Sequence, residues 1–244
     1  MLSRSFRHDL PFHLGLMAAA VVTFYPLLFT VFTSFKNNYQ FYHVFWLPTL
    51  PLHPANYRDA WLQVGPSVIN SAFVTVTSVA AIVTFAALSA YVFARHDFPG
   101  RNILFMAVLV LLMIPGILTL IPLFLQVKNY GLLNTYWALI LPYIAGGQAF
   151  SIFVLRSFFA SQPEELFEAA RIDGASEFQI FTLIAVPLAT PILGTVAILH
   201  TIWIWNDYLW PAVTLSDPNL WTIAVKLVGF TGQWMFMEQW GPLF

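Results

Sequence analysis

The chain has 244 residues, of which 59% are hydrophobic and only 9% charged; its net charge is −1 and it has no cysteine. Soluble domains run at roughly 45–50% apolar and about 25% charged, so much of this apolar surface must face lipid or other membrane helices. No basic balance points to nucleic acid, and the missing thiols exclude a disulfide framework, a cysteine metal site and thiol chemistry.

The opening MLSRSFRHDL resembles the charged start of a signal peptide. The apolar run behind it, at 12–34, exceeds a signal h-region of about 7–15 residues and offers no small-residue cleavage site before Lys36. It is read as a retained first span. Residues 35–66 then form an outer loop rich in aromatics and prolines (Tyr39, Phe41, Tyr42, Phe45, Trp46, Pro48, Pro51, Pro54, Tyr57, Trp61), the composition of an interfacial aromatic belt. A break near residue 66 divides an N-terminal span and extracytoplasmic loop, 1–65, from a span-dense remainder, 66–244.

Four more charge-free runs follow, at 67–94, 102–127, 132–155 and 183–206. Each is long enough for a helix to cross a bilayer, which takes about 20 apolar residues. A mid-span Lys, Arg or Asp costs roughly 2.5–3.5 kcal/mol on insertion, which is why charge is avoided there. Interior Pro26, Ser71, Ser78, Pro115, Pro122, Pro142 and Pro191 are of the kind bundled membrane helices tolerate. The runs do not alternate as barrel strands do. The expected fold is an all-α membrane protein with five spans.

Basic residues set the orientation. Arg4, Arg7, Arg95, Arg101, Arg156 and Arg171 fall on one side, close to span ends; Lys36, Arg58, Lys128 and Lys226 fall on the other. The first group predicts a cytoplasmic N-terminus, 95–101 turn and 156–182 loop.

That last loop, SQPEELFEAARIDGASEFQIFTLIAVPLATP over 161–191, is the strongly polar island of the C-terminal two-thirds. Ser161 with Glu164 fits a capping box, and Pro163 fits a first helical turn. The helix is expected to run to about Asp173, where Gly174 supplies a left-handed stop. Ser176 with Gln179 forms a second capping box, so a new helix starts at once and enters the membrane. The result is a stiff, exposed elbow. Small Ala169 and Ala170 allow close approach, and Glu168 and Asp173 offer charge to a partner's Arg or Lys. A plain helical hairpin between spans is the alternative reading of the caps.

The pattern Glu168-Ala169-Ala170-x-x-Asp173-Gly174-Ala175-Ser176, with Ile184, Pro187 and Pro191 downstream, resembles the "EAA" coupling loop of binding-protein-dependent ABC importer permeases. Further fragments follow in that family's order: Asn70-Ser71, Ala90-Tyr91 with Arg95, Phe98-Pro99-Gly100-Arg101, Met113-Ile114-Pro115, Ile121-Pro122-Leu123, Gly131-Leu132-Leu133-Asn134-Thr135-Tyr136, Leu139-Ile140-Leu141-Pro142 and Trp205-Asn206-Asp207-Tyr208-Leu209-Trp210-Pro211. The resemblance is to the carbohydrate, maltose-type branch and its second, shorter permease subunit. It implies a type I ABC importer helix bundle in the inner membrane, with the 161–182 loop docking a dimer of ATP-binding cassette subunits. A second permease subunit, an extracytoplasmic sugar-binding protein and a sugar are the other implied partners, with alternating access as the mechanism. The family's sixth span, which follows a Trp-Gly pair (Trp240-Gly241 here), is missing from 227–244, so the transmembrane domain is expected to be incomplete with its C-terminus outside.

Motifs of a zincin, an elbow-type serine hydrolase and a P-loop ATPase are absent, so no catalytic, cofactor or metal residue is assigned. His200 is the ionisable residue inside the fifth run, either on a pathway or as a neutral histidine bonded to a neighbouring helix. Asn206 and Asp207, with Trp205 beside them, lie at that span's outer end, as sugar contacts or as an interfacial polar cap. A permease for a non-sugar solute and a non-transporting scaffold subunit are the other functional readings.

Overall fold

The computed structural model describes residues 4–236 and Trp240. Gly241 of the Trp-Gly pair, the rest of the expected C-terminal end, and the side chains of Arg4 and Arg7 lie outside what is described. The described residues are helical, without strands. They group into two compact units, Met1–Pro66 with Leu227–Phe244, and Ser67–Lys226.

In the first unit, α1 (Arg4–Ser34) carries many apolar side chains outward from residue 11 on, with Phe12, Val22 and Leu27 all well exposed, as suits a helix facing lipid. Thr23 and Thr30 satisfy their hydroxyls on Ala19 O and Pro26 O. Beyond α1, the buried Lys36 ammonium donates to the carbonyls of Val44 and Phe45, both at 2.8 Å. Burial pushes the Lys36 pKa down. The Asn56 amide takes up Ser34 O and Lys36 O, and Asn37 with Gln40 makes a reciprocal cap on α2 (Asn38–His43). Some of the outer aromatics cluster: Phe45 and Trp46 pack on Phe29, and the Trp240 ring stacks on Phe41 at 5.0 Å, while Tyr39, Tyr42 and Trp61 stay exposed.

The next helix, α3 (Ala55–Arg95), is longer than the 67–94 run. The end of the expected outer loop is therefore helix. Arg58 and Asp59 ended the apolar pattern, but solvated charges do not end a helix.

The 102–127 run is not one straight rod. It forms α4 (Arg101–Leu112) and α5 (Gly116–Asn129), bent by 100°. Pro115 explains the break: it has no N–H for the ladder, sits extended at ψ 125°, and biases Ile114 away from helix. With α6 (Trp137–Ser161) and the Glu177–Asn206 segment, four long apolar helices and this bent pair account for the five expected runs.

After α6 come α7 (Glu164–Ile172), α8 (Glu177–Ile180), a π-helical stretch at Phe181–Ala185, and α9 (Val186–Asn206). Short α10 (Leu209–Thr214) and a 3-10 turn at Pro218–Leu220 precede α11 (Ile223–Phe236).

Two apolar clusters hold the second unit. In the first, Ala86, Ala87, Ala90 and Tyr91 of α3 pack with Leu155 and Phe159 of α6, Phe167 of α7 and Phe181. The alanines let helix backbones approach closely, the usual route to packing where lipid removes the hydrophobic drive. In the second, Val74 and Ile82 meet Leu139, Ile140, Ile204 and Trp210.

The motif fragments around 70, 134 and 210 converge in one hydrogen-bonded knot. Asn134, at φ 61°, accepts the N–H groups of Ser216 (3.0 Å) and Asp217 (2.8 Å). Asn70 receives the Tyr136 hydroxyl and donates to Asn219 O and Trp221 O. The Trp210 indole N–H donates to Ala138 O. Loop backbone that strand or helix cannot satisfy is satisfied here by side chains.

Candidate functional site

The elbow between α6 and α9 is built by local chain chemistry. Its second half follows the sequence closely. α7 ends at Ile172 with Asp173 as its C-cap, and Gly174 stands at φ +82°. Ala175 N–H bonds Ala170 O at 3.0 Å and Gly174 N–H bonds Arg171 O at 3.1 Å, the paired bonds of a Schellman stop. A Cβ on Gly174 would meet nothing within 4 Å, so glycine is needed for its backbone angle and not for space. Ser176 and Gln179 then cap α8 reciprocally.

The first half differs from expectation. Ser161 does not cap α7. It is still the last residue of α6, and its hydroxyl donates to Phe158 O at 2.8 Å. Pro163 takes the cap position without a side-chain bond, so the Ser161–Glu164 capping box is absent. A hydroxyl one turn above a free helical carbonyl finds that carbonyl first.

Glu168, Ala169, Asp173, Gly174 and Ser176 are exposed. Ala170 and Ala175 are half-buried against the Tyr91–Phe181 cluster, so of the two alanines only Ala169 is open to close approach. Ile172, to which the sequence pattern assigns no role, is 86% exposed. A bare isoleucine beside Glu168 and Asp173 makes the elbow tip both acidic and apolar. Its signal was present: an apolar residue inside a polar island, out of phase with buried Phe167.

A chain of ion pairs fixes the elbow to the end of α3. Arg95 pairs with Glu164, Arg171 bridges Glu164 (3.2 Å) and Glu177 (3.0 Å), and His96 faces Glu177 at 3.5 Å. The hydrogen bonds that Arg171 donates to Glu177 and Glu164 raise its pKa further. The 95–101 turn and the 161–182 loop therefore share one end of the bundle. Arg95 lies 69 residues from Glu164, too far along the chain for the pair to be inferred from sequence.

The second feature is a cavity of about 510 Å³ between α6 and α9, lined by Tyr143, Gly146, Gly147, His200, Trp203, Asn206 and Asp207. His200 is buried and meets Ser151 Oγ through Nε2 at 2.8 Å. Ser151 has one hydroxyl proton and also approaches Gly147 O at 2.7 Å. If that proton goes to Gly147 O, His200 Nε2 is the donor. Asp207 is engaged on both oxygens, by the Tyr143 hydroxyl at 2.7 Å and the Trp210 N–H at 3.3 Å. Asn206 donates to Ile202 O at 2.7 Å, and among the described residues its Oδ1 has no hydrogen-bond donor, so it is open to a ligand hydroxyl. Trp205 is half-buried outside the cavity lining; Trp203, missed in the sequence, lines it and packs edge-on to His200 at 5.4 Å. Helix periodicity explains the swap, since Trp203 is three positions from His200 and Asn206 and shares their face.

Comparison with known proteins identifies the class. The fold matches a solved bacterial ABC transporter involved in import of the acidic polysaccharide alginate, with TM-score 0.81 and 26% identity over 100% of this chain and 92% of that one. It is similar to the diacetylchitobiose uptake system permease protein NgcG of Streptomyces coelicolor, 34% identical over 95% of this chain and 78% of that protein. The arabinooligosaccharides transport system permease protein AraQ of Halalkalibacterium halodurans is also 34% identical, over 88% and 78%. These likenesses define a multi-pass inner-membrane permease of the ABC importer type. Residues 82–242 match the binding-protein-dependent transport system inner membrane component family, and the chain belongs to it.

Proposed function

We propose that this chain is the permease subunit through which an ABC importer moves a carbohydrate, and that the 161–182 elbow is its dock for the ATPase. The observation that carries the reading is the elbow itself: a Schellman stop at Gly174 that presents Glu168, Asp173 and bare Ile172 at its tip. Related permeases whose names specify oligosaccharides favour a sugar as the solute. The span-dense part, 66–244, is the transporting domain, and the elbow lies in the cytoplasm.

Partners follow from that role. A dimer of ATP-binding cassette subunits hydrolyses ATP, this chain contributing no catalysis; a second permease completes the path; an extracytoplasmic binding protein delivers the sugar. In the α6–α9 cavity, His200, Asn206 and Asp207 border the path, with Trp203 taking the place assigned to Trp205. Its volume falls in the ordinary range for small-ligand sites, about 300–1,000 Å³.

The test is Glu168→Lys in the complete complex. A reversed charge at the tip turns a charge-assisted contact with a basic ATPase pocket into repulsion. The variant should insert normally and lose the ATPase on purification, or retain it with hydrolysis uncoupled from uptake of N,N′-diacetylchitobiose and arabinooligosaccharides. Retention of the ATPase with normal uptake sinks the docking role.

A further inference from the structure

Arg95 ends α3, 69 residues before Glu164 in sequence, and its side chain is only 5% exposed. It is spent almost wholly on the elbow. One nitrogen pairs with Glu164, a second donates to Gln162 O at 2.5 Å, and the guanidinium lies 4.0 Å over the ring of buried Phe167. One turn earlier on α3, Tyr91 packs against Phe159, Phe167 and Phe181 and donates to Glu177. Both arms of the elbow are thus gripped by a helix to which neither is covalently joined.

The elbow's own continuation into the membrane is a single helical run, Glu177–Asn206, made irregular by the π-helical stretch Phe181–Ala185, a geometry frequent at functional sites. The carbonyl of Ala185 is met by a neutral amide, Gln162 Nε2, at 3.3 Å. Charge-assisted bonds are roughly twice as strong as neutral ones, so the Arg95 contacts are the stronger of these side-chain ties. Among the described residues, two buried polar atoms at this joint, Arg95 Nε and Gln162 Oε1, have no hydrogen-bond partner.

From Arg95, α3 leads back to the cavity. Ile82 lies roughly 20 Å along the helix. A Cβ added to Gly147, which lines the cavity, would sit 2.7 Å from Ile82 Cδ1 and 3.1 Å from His200 Cε1. Ile82 and His200 therefore both pack directly over Gly147, where only glycine leaves them room.

Resting on the docking reading above, we propose that Arg95 is a positioning residue that binds the elbow and α3 into one moving body, so that motion of the docked ATPase reaches the cavity wall through Ile82 and Gly147. Without the latch, the elbow moves independently of α3 and the ATPase cycles with a much weakened effect on the cavity.

The experiment uses the full complex and needs no knowledge of the sugar. The chain has no cysteine, so Gly146→Cys places one thiol at the cavity, where a Cβ meets nothing within 4 Å. Its labelling by a hydrophilic thiol reagent is compared before and after vanadate trapping of the ATPase. In Arg95→Met, ATP hydrolysis should stay within about twofold while the trapping-dependent change in labelling falls by about tenfold, a coupling loss of ordinary allosteric size. Arg95→Lys keeps the charge without the fork and should recover part of the change. Adding His96→Cys and Glu177→Cys to Arg95→Met, then bridging them with a short bifunctional thiol reagent, should restore it, because a covalent link replaces the latch. Equal loss of hydrolysis and response in Arg95→Met, or no recovery on bridging, overturns the proposal. Glu168→Lys separates the layers: if it sheds the ATPase while Arg95→Met responds normally, the dock stands and only the latch fails.

Discussion

Tyr143 on α6 donates its hydroxyl to the Asp207 carboxylate at 2.7 Å, tying together the two helices that wall the cavity. The same carboxylate takes the Trp210 N–H. Sugar contact and helix link make different demands on this pair. Tyr143→Phe removes one bond of about 1 kcal/mol and keeps the ring, so a path role should raise KM for sugar uptake roughly fivefold with little change in kcat. Asp207→Ala loses both bonds and should weaken uptake further without preventing membrane assembly. Normal uptake kinetics in both variants would leave the pair as a helix link.

Gly174 is tested by its backbone angle alone, because the space around it is open. Gly174→Val forces a β-branched residue to φ +82°, at a cost of about 1–2 kcal/mol. Gly174→Asn, which tolerates that region, should cost less. Co-purification of the ATPase should drop in the order Gly, Asn, Val. If Val and Asn behave alike, the elbow angle does not matter to docking.

Asn134 tests the loop knot. Asn134→Ala leaves the Ser216 and Asp217 amides without their acceptor and places alanine at φ 61°. Strain and two lost bonds together amount to about 2–4 kcal/mol. Thermal unfolding of the purified protein in detergent should show the loss, and Asn134→Gly should recover only the strain. Equal melting of the wild type and the alanine variant would deny the knot a stabilising part.

Orientation is open to reporter fusions. The basic residues predict that fusions at residues 100 and 170 read cytoplasmic and one at residue 50 reads extracytoplasmic. The ion pairs joining the 95–101 turn to the elbow require the first two to agree. Opposite readings at 100 and 170 would contradict both arguments.

What the sequence determined is what depends on neighbours along the chain. Apolar run length specified the spans, because a bilayer imposes a length on any helix that crosses it. Gly174 and the Ser176–Gln179 cap were legible because a left-handed stop and a capping box are closed within a few residues. Even locally, competition misleads: Ser161 had two possible partners, and the carbonyl of Phe158 was nearer than the amides of α7. The bend at Pro115 was half legible, since proline permits a kink but its angle depends on what the helices pack against. Tertiary structure alone decided the rest. Arg95 meets Glu164, Asn70 meets Trp221 and Ile82 meets Gly147 across separations no pattern encodes. Which tryptophan lines the cavity was set by the rotation of α9 about its axis. That rotation is fixed by packing against α6, because a helix apolar on every side carries too weak a periodic signal to declare its own inner face.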